Sequence, residues 1–140
     1  MVTEFNGKQQ LLRPEALIDL AAARHNLNCA KSAAPSSKVI AVIKSNAYGH
    51  GMLRIAKALE AADTFGLARM EEAVSLRQAG IEKRLLVLEG FFGRDELEAA
   101  SHYQIELAVN SPEQLSLLER SQLRQRDRKS TRLNSSHVSQ

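Results

Sequence analysis

Lys44 is the side chain of this sequence best placed for covalent chemistry. It follows five apolar residues, Val39, Ile40, Ala41, Val42 and Ile43, that run without alternation. A short β-branched run of that kind predicts a strand buried on both faces, as in parallel sheets. Lys44 then stands where the strand opens into a loop, and in parallel α/β folds ligands bind at the carboxyl ends of strands. Asn46, Tyr48, Gly49, His50 and Gly51 crowd into the turn beyond it. Two readings of the lysine are open on this pattern. In one it is a strand-end ammonium in water, the ordinary state of lysine. In the other it is a Schiff-base amine, whose neutral form an apolar strand favours by disfavouring charge. The turn would set backbone N–H groups and the Tyr48 phenol beside that amine.

The elements around this stretch repeat as strand, loop and helix about every 20 to 25 residues, the pattern of parallel βα units. Strands are expected at Ala16–Leu20, Val39–Ile43, Thr64–Ala68, Arg84–Leu88 and Ile105–Val109. Helices are expected at Ala21–Ala33, Met52–Ala62, Arg69–Ala79, Asp95–His102 and Pro112–Arg120. Leu53, Ala56, Leu59 and Ala62 recur at helical spacing. Gly80 stops one helix, while Ser111 caps another with Pro112 at its first position. Asp19 could be catalytic, but a strand-end or capping carboxylate is the expectation. His25 is expected to be a surface or packing residue. Cys29, the single cysteine, is expected to be a small packing residue.

AVIKSNAYGHG, around Lys44, resembles the pyridoxal-phosphate attachment motif of alanine racemases, V-V-K-A-N-A-Y-G-H-G. Its one departure is Ser45 in place of alanine. RPEALIDLAAARHNL likewise resembles the family's opening, R-P-x-x-x-I-D-L-x-A-x-x-H-N. The resemblance runs from about Leu12 to Arg120. It implies an α/β fold, a parallel (β/α)₈ TIM-like barrel, of which only about the first half is expected here. A full barrel has eight strands in about 250 residues.

The resemblance also implies the chemistry. Pyridoxal 5'-phosphate is the expected cofactor and alanine the expected substrate. Lys44 is the expected catalytic residue and, with Tyr48, the expected cofactor-binding set, Tyr48 through the phosphate; no metal is expected. Lys44 would hold the cofactor as an imine, be displaced by the amino acid, and then move the α proton on one face. The family's second base is a tyrosine from the carboxyl-terminal domain of a partner subunit, which neither Tyr48 nor Tyr103 matches. His50 is expected to position the loop rather than act as a base, and Asn46 to hydrogen-bond the turn. Phe91 and Phe92 either border the site or pack in the core. The expected whole protein is a cytoplasmic homodimeric isomerase making D-alanine for peptidoglycan. The present chain is expected to be an incomplete fragment, inactive alone. The alternatives are a non-catalytic pyridoxal-phosphate-binding barrel and a racemase of broader specificity; AYGHG favours the alanine racemase.

Composition bounds the rest. An apolar fraction of 44% is ordinary for one modest globular domain. No run approaches a membrane span, and MVTEFNGKQQ lacks the apolar core of a secretory signal. With one cysteine there is no disulfide framework, which fits a reducing compartment. The formal charge of +3 falls to +1 without residues 127–140 and does not point to nucleic acid. Residues 1–11 are expected to be flexible, and 12–126 to form the partial barrel. Residues 127–140 are expected to be a disordered tail: DRKSTRLNSSH has no apolar periodicity and resembles a translated sequencing adapter.

Overall fold

The computed structural model describes residues 15–121, together with the backbone of 3–5 and 8–10. The tail expected from residue 127 lies outside the described residues. Near the amino terminus, β1 (Thr3–Phe5) and β2 (Lys8–Gln10) pair antiparallel, Thr3 opposite Gln10.

Ala16–Leu20 is not a strand. Asp19 instead ends an irregular lead and caps α1 (Leu20–Ala33), its Oδ1 accepting the N–H groups of Ala21 and Ala22 at 2.8 and 3.0 Å. The carboxylate satisfies donors that every helix start leaves orphaned, and the segment pairs with no strand of the described sheets. Within α1, Leu27 enters the core. Cys29 does not pack inside: it is exposed, with Sγ 3.4 Å from His25 Nε2 one turn back.

Four strands then form one parallel sheet in sequence order: β3 (Ile40–Val42), β4 (Thr64–Leu67), β5 (Arg84–Val87) and β6 (Glu106–Leu107). Each strand lies beside the next, without the reversal of order that marks a doubly wound sheet. This is barrel winding, and the four strands make a partial (β/α) barrel. α2 (Lys44–Tyr48) and α3 (Met52–Ala58) follow β3, α4 (Met70–Gln78) follows β4, α5 (Arg94–Tyr103) follows β5, and α6 (Pro112–Arg120) follows β6. Ser111 Oγ caps α6 by accepting the Gln114 N–H, with Pro112 in its first turn. α3 ends sooner than expected, although Ala62 beyond it is buried.

The core lies on one face of the sheet. Ala41, Phe65 and Leu85 are in register there, and Ile43, Leu67, Val87, Ile55, Ala73 and Leu76 join the same cluster. Full burial of each large side chain contributes about 1.5–3 kcal/mol. The opposite face is open at β3. Ile40 and Val42 remain 46% and 41% exposed, flanking Gly66, where a Cβ would stand 3.2 Å from each. The expectation of burial on both faces therefore fails. Odd positions of the run pack on the core, and even positions lie on the face that the described strands leave uncovered.

Away from the strand carboxyl ends, Arg77 locks α4 to α5. Its guanidinium donates to the carbonyls of Ile81, Lys83, Tyr103 and Gln104. Burial pulls its pKa down, opposed by the charges of Glu106 and Glu82.

Candidate functional site

The β3–β4 ladder continues one residue beyond β3. The Ile43 N–H donates to the Gly66 carbonyl at 2.9 Å, and Ile43 is 2% exposed. Lys44 comes next, half-buried at the carboxyl end of the strand. Among the described residues it makes no ion pair; those present join Lys31 to Asp63, Arg84 to Glu106 and Arg94 to Glu98.

Beyond Lys44 the backbone winds the wrong way. Ser45, Asn46, Ala47 and Tyr48 all have φ between 53 and 55°, followed by Gly49 at 88° and, after His50, Gly51 at 92°. This is one turn of left-handed helix, which costs an L-residue about 1–2 kcal/mol each. Several contacts over-determine it. The Ala47 N–H donates to the Ile43 carbonyl at 2.9 Å, Gly49 to Ser45 at 3.2 Å, and Gly51 to Asn46 at 2.9 Å. Ala47 is 5% exposed and anchors the turn in the core. Glycine at 49 and 51 accepts positive φ without penalty.

The side chains of the turn have separable jobs. Asn46 Oδ1 accepts the Met52 N–H at 2.8 Å and so completes the start of α3. His50 Nδ1 lies 2.8 Å from the Ala47 carbonyl oxygen. A carbonyl only accepts, so Nδ1 carries the proton and the ring braces the turn. Tyr48 is 61% exposed, and its hydroxyl has no hydrogen-bond partner among the described residues. Arg54 folds over Gly51, where a Cβ would meet its guanidinium at 2.5 Å.

Glu72 in α4 was not singled out by sequence. Its Oε1 accepts the Ser45 N–H at 2.6 Å, and its Oε2 accepts those of Ala68 and Arg69 at 2.9 and 3.3 Å. The available signal was its position: a glutamate third in a helix can reach back to the residue before the first turn.

The aromatic pair separates. Phe91 is 1% exposed and belongs to the core, whereas Phe92 is 78% exposed in the loop after β5. That loop is clasped to the next one. Gln114 Nε2 donates to the carbonyls of Glu89 and Phe91, its Oε1 accepts the Asn110 N–H, and Asn110 Nδ2 donates to the Leu88 carbonyl. Tyr103 ends α5, which runs back along the sheet. It therefore sits at the amino ends of the strands, stacked edge-on against His102 at 4.7 Å.

This geometry, an amine at a strand mouth followed by a braced turn, has a counterpart in known proteins. The family model for the alanine racemase N-terminal domain matches residues 18–134. The chain belongs to this family. An alanine racemase of Pectobacterium carotovorum is 49% identical over 110 residues, 79% of the chain and 31% of the relative. A biosynthetic alanine racemase of Escherichia coli is 48% identical over 109 residues, 78% of the chain and 30% of the relative. The chain thus spans about a third of the curated relatives it matches. Among solved structures, the biosynthetic alanine racemase of Pseudomonas aeruginosa superposes with a TM-score of 0.72 at 38% identity, over 76% of the chain and 30% of that protein. An alanine racemase of Bartonella henselae with covalently bound pyridoxal phosphate superposes with a TM-score of 0.65 at 31% identity, over 71% of the chain and 28% of that protein.

Proposed function

We propose that this alanine racemase family segment carries the amine that binds pyridoxal 5'-phosphate in an enzyme interconverting L-alanine and D-alanine. The single observation that carries the reading is Lys44: a half-buried lysine, outside any ion pair among the described residues, at the mouth of β3 and ahead of a hydrogen-bonded turn. The donor set fits the group. Lys44 supplies a nucleophilic nitrogen, and Tyr48 supplies an uncommitted phenol four residues on for the phosphate.

When bound, the coenzyme supplies an aldehyde for the amine and a conjugated ring that takes up negative charge at the substrate α-carbon. The remaining work belongs to the protein. Lys44 Nζ would take or return the proton at that carbon on one face. Ile43 and Ala47, buried on either side of it in the chain, anchor the lysine's backbone to the core, and His50 and Asn46 brace the turn. Proton transfer on the other face needs a second group. Tyr103 is at the wrong end of the sheet for it; the resemblance to the family implies a tyrosine from the partner subunit of a homodimer. The setting proposed is the cytoplasm, with D-alanine passing to peptidoglycan; no helix of the described residues is long and apolar enough to cross a membrane.

The test is borohydride reduction of the complete polypeptide with pyridoxal phosphate, followed by peptide mapping. The expected result is label on Lys44 and none after Lys44→Ala, with D-alanine formation lost in that variant. Undiminished label in Lys44→Ala would overturn the assignment.

A further inference from the structure

The carboxylate of Glu72 is divided between two loops. Oε2 takes the N–H groups of Ala68 and Arg69 and completes the start of α4, the ordinary role of a glutamate third in a helix. Oε1 is not used there. It reaches across to the neighbouring βα loop and accepts the Ser45 N–H at 2.6 Å. That N–H belongs to the peptide joining Lys44 to Ser45, so the bond grips the plane that sets the direction of the lysine's own backbone. It also lies at the start of the left-handed turn, where a helix leaves its first donors unpaired. Bonds to an ionised acceptor are roughly twice as strong as neutral ones. A cap alone would need one oxygen; the second ties the lysine turn to the adjacent unit.

We infer that Glu72 is a positioning residue for Lys44, setting the geometry from which the amine captures the coenzyme. This rests on the Lys44 reading above. Glu72→Gln keeps the shape but turns an NH₂ group toward one of the two loops, so a donor meets a donor. Glu72→Asp keeps the charge and falls one methylene short of spanning both.

The experiment uses the complete polypeptide and measures the rate of pyridoxal-phosphate attachment by absorbance, checked by borohydride trapping. Thermal unfolding is followed in parallel, with Ser111→Ala as a control that loses a helix cap far from the lysine. Glu72→Gln is expected to slow attachment about 100-fold, the cost of a misplaced reacting group, while Ser111→Ala loses stability and attaches at the wild-type rate. In the coenzyme-free protein, the Ser45 amide is expected to exchange with solvent faster in Glu72→Gln than in wild type. Attachment within twofold of wild type, at a temperature where Glu72→Gln is folded, would overturn the inference and leave a helix cap only. Should Glu72→Gln fail to fold, Glu72→Asp decides on the same two readouts. Absence of attachment in the wild type would instead overturn the Lys44 reading, and an unchanged Ser45 exchange rate would overturn the positioning role independently.

Discussion

Asp63 Oδ2 accepts the backbone N–H of Val39 at 2.8 Å, while the Val39 carbonyl accepts the Asp63 N–H at 3.0 Å. The two residues precede β3 and β4 and set the register in which Ile43 reaches Gly66. The Val39 N–H is the main cause holding the Asp63 carboxyl below its ordinary range; desolvation opposes it, and Lys31 adds to the lowering. A depressed folded pKa means stabilisation that is present above the unfolded value of about 3.9. It is lost as pH falls through the lower folded value. Asp63→Asn is therefore expected to melt lower than wild type near neutral pH, with the gap closing in acid. Melting temperatures measured across an acid series check this; a gap independent of pH would count against it.

Gly90 has φ +78°, and a Cβ there would collide with the Ala108 carbonyl and the Gln114 amide. Gly93, three residues on, has extended backbone and nothing within 4 Å of an added Cβ. Gly90→Ala is expected to cost more than the roughly 1–2 kcal/mol of left-handed strain, because it also breaks the Gln114 clasp. Gly93→Ala is expected to stay within about 0.5 kcal/mol of wild type. Urea unfolding of the pair distinguishes a demanded glycine from a tolerated one.

Among the described residues the Tyr48 hydroxyl supports nothing. Tyr48→Phe is therefore expected to leave the melting temperature unchanged. Loss of one hydrogen bond of about 1–1.5 kcal/mol should weaken coenzyme binding roughly tenfold. Fluorescence titration with pyridoxal phosphate measures it; equal affinity would remove Tyr48 from the proposed binding set.

On the function proposed above, the 140 residues taken alone offer a proton-transfer group on only one face of the substrate. The polypeptide is expected to produce no D-alanine from L-alanine with added coenzyme. A coupled D-amino-acid assay decides, and clear turnover would show that a second base lies within these residues.

Much of the architecture could be read beforehand where short-range signals act. Ser111 and Pro112 marked the start of α6, and the βα recurrence gave the parallel order of β3 to β6. Ala16–Leu20 differs because its apolar pattern suits a strand, while Asp19 caps α1 and the segment pairs with no described strand. Ile40 and Val42 misled because burial depends on how many strands surround a barrel's interior, which a local run does not encode. At the site, the place of Lys44 after an apolar strand left two readings open, and only the resemblance of AVIKSNAYGHG to the racemase motif singled it out. The left-handed turn was not: Asn46, Gly49 and Gly51 tolerate positive φ, but Ser45, Ala47 and Tyr48 give no sign of it. Glu72 went unremarked because its second oxygen acts on a residue 27 positions away.

A stretch of L-residues does not enter the mirror-image turn of its own accord. Here the bonds within the stretch are joined by one from outside it, from a glutamate made later on the chain. On the positioning role inferred for Glu72, the restraints on the lysine turn are complete only after the following βα unit has docked. A nascent polypeptide would carry the amine well before it carried the shape, so capture of the coenzyme would mark a maturation step.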